Sequence, residues 1–152
     1  MPAVPRILIV EARFYEDIAD ELAAGAREAL DAEGVAADRI AVPGAFEIPA
    51  AIAMVEQGGD VGTAPFYHGY VALGCVIRGE TSHYDYVCGE SARGLQLLAI
   101  ERTLAIGYGI LTTETREQAW TRAARTEGNK GADAARACLS MLGLRRRFGI
   151  DP

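Results

Sequence analysis

Histidine and cysteine are scarce in this chain. It has two histidines, His68 and His83, and three cysteines, Cys75, Cys88 and Cys138, among 152 residues. The cysteines are widely separated, odd in number and without a Cys-x-x-Cys pair. Neither a disulfide framework nor zinc-site spacing is present, and no metal site is expected. Free thiols suit a reducing, cytosolic setting. Long apolar runs are missing too, since none approaches the ~18 residues of a membrane helix. Met1-Pro2-Ala3-Val4-Pro5 leads straight into a strand pattern and carries no secretory signal. The expectation is a soluble, cytoplasmic protein with no membrane partner. Positive charge is the third shortage, with 15 Lys and Arg against 21 Asp and Glu and a net charge of −6. A nucleic-acid partner would need a basic face, so none is expected. The one basic cluster, Arg145-Arg146-Arg147, falls where a helix C-terminus favours cations, with anion binding or assembly as the other reading.

What is present is apolar and regularly spaced. Half of the residues are hydrophobic, enough for the core of a single domain spanning residues 1–152. Arg6-Ile7-Leu8-Ile9-Val10 reads as a strand buried on both faces. Phe14 to Ala32 reads as a helix, with Ile18, Leu22, Ala26, Ala29 and Leu30 at helical spacing and Gly34 placed to end it. Arg39 to Val42 is a second strand, stopped by Pro43-Gly44. Phe46 to Gln57 is a helix with Pro49 in its first turn, followed by a surface loop over Gly58 to Thr63. A third strand (Tyr67 to Val76), a helix (Tyr86 to Leu104) and a fourth strand (Ala105 to Leu111) come next. In the fourth strand Gly107 and Gly109 leave room for something to approach the backbone. Thr115-x-x-Gln118 is a capping box for a helix over Arg116 to Thr126, and a last helix runs from Ala132 to Arg147.

This alternation implies an α/β fold. Four parallel strands carry helices on both faces, a three-layer α/β/α sandwich of flavodoxin-like type with right-handed crossovers. Ligands on such sheets sit beyond the carboxyl ends of the strands. The unusual residues gather at those ends. The densest is Gly74-Cys75-Val76-Ile77-Arg78-Gly79-Glu80-Thr81-Ser82-His83-Tyr84-Asp85-Tyr86, a buried strand opening into a Gly- and hydroxyl-rich turn before a helix. Backbone N–H groups and the helix dipole make such a turn attractive to phosphate. It also holds His83, and imidazole is the side chain that exchanges protons near neutrality. A phosphate cradle beside a proton carrier points to an enzyme acting on a phosphorylated small molecule.

The strand-end segments together resemble the lumazine synthase family of riboflavin biosynthesis. The matching pieces, in family order, are Ala12-Arg13-Phe14, Val42-Pro43-Gly44-Ala45-Phe46-Glu47-Ile48-Pro49, the run from Ala72 to Val87, Gly109-Ile110-Leu111-Thr112-Thr113-Glu114, Glu117-Gln118-Ala119 and Gly128-Asn129-Lys130-Gly131. The resemblance implies condensation of 5-amino-6-(D-ribitylamino)uracil with 3,4-dihydroxy-2-butanone 4-phosphate. The products would be 6,7-dimethyl-8-ribityllumazine, phosphate and water, with no cofactor.

It also implies roles. Phe14 stacks on the uracil. Ala45, Phe46 and Glu47 hold the ribityl chain and pyrimidine. The backbone at Cys75, Val76 and Ile77 meets the pyrimidine edge. Gly79, Glu80 and Thr81 cradle the phosphate, with Arg122 gripping it from an adjacent subunit. Tyr108 supplies an apolar wall, Lys130 lies near the ribityl and phosphate groups, and His83 carries protons. Tyr15, Cys75 and Tyr108 stand where the family commonly has Asn, Thr and Phe. Without the resemblance, Phe14 also reads as a core residue, Glu47 as a helix-start carboxylate and Arg122 as a solvated charge. Lys130 and His83 likewise read as ordinary turn residues. Cys75 reads as a small packing group, and His68, Trp120, Cys88 and Cys138 have no functional reading.

The resemblance implies a homo-oligomer built from pentamers, with active sites between adjacent subunits and small molecules as the other partners. Pro2 and Pro5 leave little strand-forming backbone before Arg6, which favours a free pentamer. The short Arg125-to-Gly131 turn resembles that of shell-forming members. A non-catalytic flavin- or lumazine-binding oligomer is the competing reading.

Overall fold

The continuous apolar run at the start of the chain becomes the strand β1 (Arg6–Ala12), buried from Ile7 onward in a computed structural model that describes residues 4–150. The chain continues through α1 (Glu16–Ala32), β2 (Ala36–Val42), a 3-10 turn (Ala45–Glu47), α2 (Ile48–Asp60), β3 (Gly69–Ile77), α3 (His83–Arg102), β4 (Ala105–Thr113), α4 (Arg116–Ala123) and α5 (Lys130–Arg147). The strands form one parallel sheet in the order β2-β1-β3-β4. Strand alternation splits the core in two. Ile7 and Ile9 meet Ile18 and Leu22 of α1, Ala119 of α4, and Cys138 and Leu142 of α5. Leu8, Val10 and Ala12 meet Ile48 and Ile52 of α2 and Leu95 of α3. The result is the expected three-layer sandwich, with α1, α4 and α5 on one face and α2 and α3 on the other.

The chain leaves β1 toward β2 and then returns to β3 on the other side. The topological switch therefore lies between β1 and β3, where a crevice opens beyond the strand ends.

The space left by Gly107 and Gly109 is filled by α5. A Cβ on Gly107 would strike the Ala134 carbonyl, and one on Gly109 would lie 2.8 Å from Ala134 Cβ.

Several element ends differ from the sequence reading, for local reasons. β2 begins at Ala36, three residues before Arg39, because the sheet pairs Arg6 with Ala36 and Asp38 is held by Arg6 and by the Tyr67 hydroxyl at 2.7 Å. α2 runs on through Gly58, Gly59 and Asp60 instead of ending in a loop. Asp60 is anchored by Arg102 at 2.9 Å, and the chain turns only at Gly62, where φ is +79°. α3 begins at His83, earlier than Tyr86, and α5 at Lys130, earlier than Ala132. β4 continues to Thr113, paired there with Ile77. Pro2, part of the argument on assembly, lies outside the described residues.

Candidate active site

Three strand ends and one helix start converge at the switch point. After β1, Phe14 and Tyr15 form a turn into α1. After β2, Pro43-Gly44 leads into the 3-10 turn that carries Ala45, Phe46 and Glu47. β3 ends in Cys75, Val76 and Ile77, and α3 opens with His83. These residues and Val87 line a cleft of about 510 Å³. Phe14 and Phe46 stay 76% and 55% exposed in or beside it. Large rings left open on facing strand-end segments suit a flat aromatic ligand. Phe14 meets only the edge of Tyr15 in a ring pair, with centroids 4.9 Å apart. Ala45 forms part of the buried base, and the Glu47 carboxylate folds back over Gly44. Burial pushes the Cys75 thiol up to about 11, which disfavours the reactive thiolate. Tyr15, Pro43, Gly44 and Val87 line the cleft without having been singled out as contacts. Val87 was detectable, because it lies one helical turn after His83 on the same face.

The turn Gly79-Glu80-Thr81 is exposed beside this cleft, at the positive end of α3. The His83 N–H points to Thr81 Oγ1 at 3.3 Å. Arg78, the cation nearest in sequence, is already engaged. It pairs with Glu114 at 2.8 Å and Asp85 at 3.3 Å.

Tyr108, Arg122 and Lys130 lie elsewhere. They line a second cleft of about 410 Å³ at the β4 edge, between β4, α4 and α5. Arg122 donates to the Gln118 carbonyl at 3.0 Å, and Lys130 pairs with Asp133 at 3.3 Å. Burial raises the Tyr108 phenol, and a hydrogen bond with Ser91 opposes it. α4 is held in place by its cap, where the Gln118 N–H donates to Thr115 Oγ1 at 3.2 Å. The Gln118 side chain accepts from the Glu114 N–H at 2.8 Å, one residue before the capping position.

Within one chain, then, Phe14, Ala45, Phe46, Glu47, Cys75, Val76, Ile77 and His83 are together. Tyr108, Arg122 and Lys130 form a separate group, and no residue lines both clefts. A third cavity of about 490 Å³ lies at the opposite, amino ends of the strands. In its wall Arg102 pairs with Asp60 and Glu56, and Glu56 also accepts from the Tyr70 hydroxyl behind it.

Among the described residues no helix is long and apolar enough to cross a membrane. A family model described as 6,7-dimethyl-8-ribityllumazine synthase matches residues 5–146. The chain is 60% identical over 145 residues to a protein of Rhizobium meliloti named 6,7-dimethyl-8-ribityllumazine synthase 1, covering 95% of this chain and 94% of that one. Proteins named 6,7-dimethyl-8-ribityllumazine synthase from Bartonella bacilliformis and Agrobacterium fabrum are 57% and 54% identical, each over 95% of this chain and over 93% and 97% of their own lengths.

Proposed function

We propose that this chain, which belongs to the 6,7-dimethyl-8-ribityllumazine synthase family and condenses 5-amino-6-(D-ribitylamino)uracil with 3,4-dihydroxy-2-butanone 4-phosphate in riboflavin biosynthesis, builds its active site where two copies of itself meet. The observation that carries this reading is the division of the site residues between two clefts. The switch-point cleft has aromatic walls and a proton carrier but no uncommitted cation, since Arg78 is neutralised by two carboxylates. The β4-edge cleft has Arg122 and Lys130 but lacks Phe14, Phe46 and His83. Neither half holds a phosphate and a pyrimidine at once; the switch-point cleft of one copy against the β4 edge of the next does.

In this arrangement Phe14 stacks on the pyrimidine, and Glu47 accepts hydrogen bonds from ribityl hydroxyls. The backbone of Cys75 to Ile77 meets the heterocycle's polar edge. Gly79 to Thr81 and the α3 dipole receive the phosphate, and Arg122 of the neighbouring copy grips its oxygens in a bidentate fork. The substrate amine attacks the butanone carbonyl to give an imine with loss of water. Loss of a proton from the neighbouring carbon then expels phosphate and leaves an enol, which tautomerises to a ketone. The second nitrogen attacks that carbonyl, and a second water leaves as the ring closes. His83 moves protons at the attacking nitrogen and at the carbon next to the one that loses phosphate. Holding two small molecules in register supplies much of the acceleration. The working unit is a cytoplasmic homopentamer of single-domain chains, for which the exposed α3 residues Tyr86, Leu97 and Ile100 offer apolar contact surface.

Complementation tests the shared site. Neither His83→Ala nor Arg122→Ala homo-oligomers should support normal turnover. After unfolding and refolding together, mixed oligomers should regain activity, because some interfaces then pair an intact His83 with an intact Arg122. Lumazine fluorescence and free phosphate report turnover, and light scattering should give a mass that is a multiple of five chains. No gain on mixing would place the whole site within one chain. Binding of a lumazine by the unmutated chain without turnover would make it a non-catalytic binder.

A further inference from the structure

Glu11 is the only buried charged residue among the described residues, 3% exposed, and the chemistry above makes no use of it. It lies near the end of β1 on the α1 side of the sheet, where the apolar stripe of Ile7 and Ile9 would otherwise continue. One carboxylate oxygen accepts from Arg13, in the turn that carries Phe14, and the other accepts from Arg39 Nε at 2.7 Å, on β2. Arg13 also pairs with Asp20 of α1. A buried carboxylate with a guanidinium on each oxygen is geometrically strict, because an arginine that moves leaves one carboxylate oxygen without a partner away from water.

The two arginines belong to the two segments that wall the switch-point cleft. Arg13 adjoins Phe14, and β2 runs from Arg39 directly to Pro43-Gly44 and the Phe46-Glu47 turn. Phe14 is too exposed for packing to hold it, so its position follows the backbone on which it stands. We infer that Glu11 is a positioning residue that, through Arg13 and Arg39, sets the spacing between the Phe14 and Phe46 walls and so the width of the slot for the pyrimidine. This rests on the reading of Phe14 as the ring that stacks on that substrate.

The test is steady-state kinetics on the full chain, varying each substrate with the other saturating, below the melting temperature of each variant. Phe14→Ala, Glu11→Gln and Arg13→Met should each raise KM for the pyrimidine about tenfold, while KM for the butanone phosphate stays within about twofold. Arg39→Met should act in the same direction. The double variant Phe14→Ala/Arg13→Met should be no worse than Phe14→Ala alone, because both remove the same placed ring. If Glu11→Gln does not fold, Arg13→Met and Arg39→Met, whose side chains reach solvent, carry the test. Equal changes in both KM values, or strict additivity in the double variant, would reduce the cluster to a structural one and overturn the inference. A raised pyrimidine KM in Phe14→Ala beside an unchanged one in Arg13→Met and Arg39→Met overturns the inference alone. An unchanged KM in Phe14→Ala overturns the stacking reading and the inference with it.

Discussion

The guanidinium carbon of Arg78 lies 4.3 Å from the centroid of the Tyr84 ring. That stacking, with the ion pairs to Glu114 and Asp85, pins Arg78 against the start of α3 and the end of β4. Its own backbone N–H reaches the Thr113 carbonyl at 2.9 Å. Arg78 therefore shapes the Gly79-Glu80-Thr81 turn without offering it spare charge. With Glu80, Asp85 and Glu114 nearby, the turn offers backbone donors and a hydroxyl in a setting that is net acidic. For the phosphate proposed to bind here, a second cation must come from outside the turn.

In the proposed shared site Arg122 is that cation. Among the described residues its guanidinium donates to a backbone carbonyl of its own helix and joins no ion pair, so reorientation toward phosphate breaks none. Replacing Arg122 by Ala should raise KM for the butanone phosphate by about 10–100-fold, in line with loss of a charge-assisted hydrogen bond. The pyrimidine KM should change little, and Arg122→Lys should recover part of the loss as a point charge without the fork. Equal effects on the two substrates would remove Arg122 from the phosphate site.

His83 sits at the first position of α3, on the rim of the switch-point cleft. A single placed proton carrier is worth about 10²–10⁴-fold. His83→Ala should lower kcat toward the smaller end of that range and leave both KM values within a few-fold, because the contacts proposed for Phe14, Glu47 and the Gly79-Glu80-Thr81 turn would still align the substrates. Stopped-flow recording of lumazine formation separates this from a binding defect. An unchanged kcat would leave His83 without a chemical role.

Much of the fold was legible because its signals are local. The run Ile7 to Val10 is apolar on both faces, and only a central parallel strand buries both. Gly34, at φ +67°, ends α1 where the spacing said it would. The residues that misled did so through partners far along the chain. Asp38 does not look like strand until Arg6 and Tyr67 are seen to hold it, and Gly58-Gly59 reads as loop until Asp60 is seen tied to Arg102. The switch-point cluster followed from the rule that ligands sit at strand ends. The separation of Arg122 from it came only with the resemblance, which has it reach the site from an adjacent subunit, and that of Lys130 did not follow at all, because periodicity carries no information on which side of β4 a helix returns. Glu11 was passed over because, within a strand, one acid looks like an edge residue; its burial depends on Arg13 and Arg39 reaching it from two directions.

Glu21 of α1 accepts the Arg125 backbone N–H at 3.1 Å and its guanidinium at 3.0 Å, fixing the turn that leads to Lys130. These bonds hold its carboxyl below the ordinary value of 4.5. A carboxylate whose folded pKa is lowered adds stability that is complete above its unfolded value and is lost as pH falls through the folded one. Glu21→Gln should therefore melt earlier than the parent at pH 7. The gap should narrow as pH drops below about 4.5 and close in stronger acid. Thermal melts from pH 7 to pH 3 check this, and a pH-independent gap would mean that the loss is one of packing.

Two glycines of α5 should respond to alanine in opposite ways. Gly131 lies against α1, and a Cβ there would run into the Leu22 carbonyl and its neighbouring backbone atoms. Neither backbone can yield without moving a helix, so Gly131→Ala should cost about 3 kcal/mol or more. The same shift would displace Lys130 from the β4-edge cleft. Gly143 is in the same helix, and a Cβ there meets nothing within 4 Å. Removing glycine from an open helical position should add up to about 1 kcal/mol, which in a chain of this length raises the melting temperature by about 2–4 °C. Calorimetry on the two variants decides the point. If Gly131→Ala melts like the parent, α1 and α5 are not packed backbone to backbone, and the position of Lys130 must have another cause.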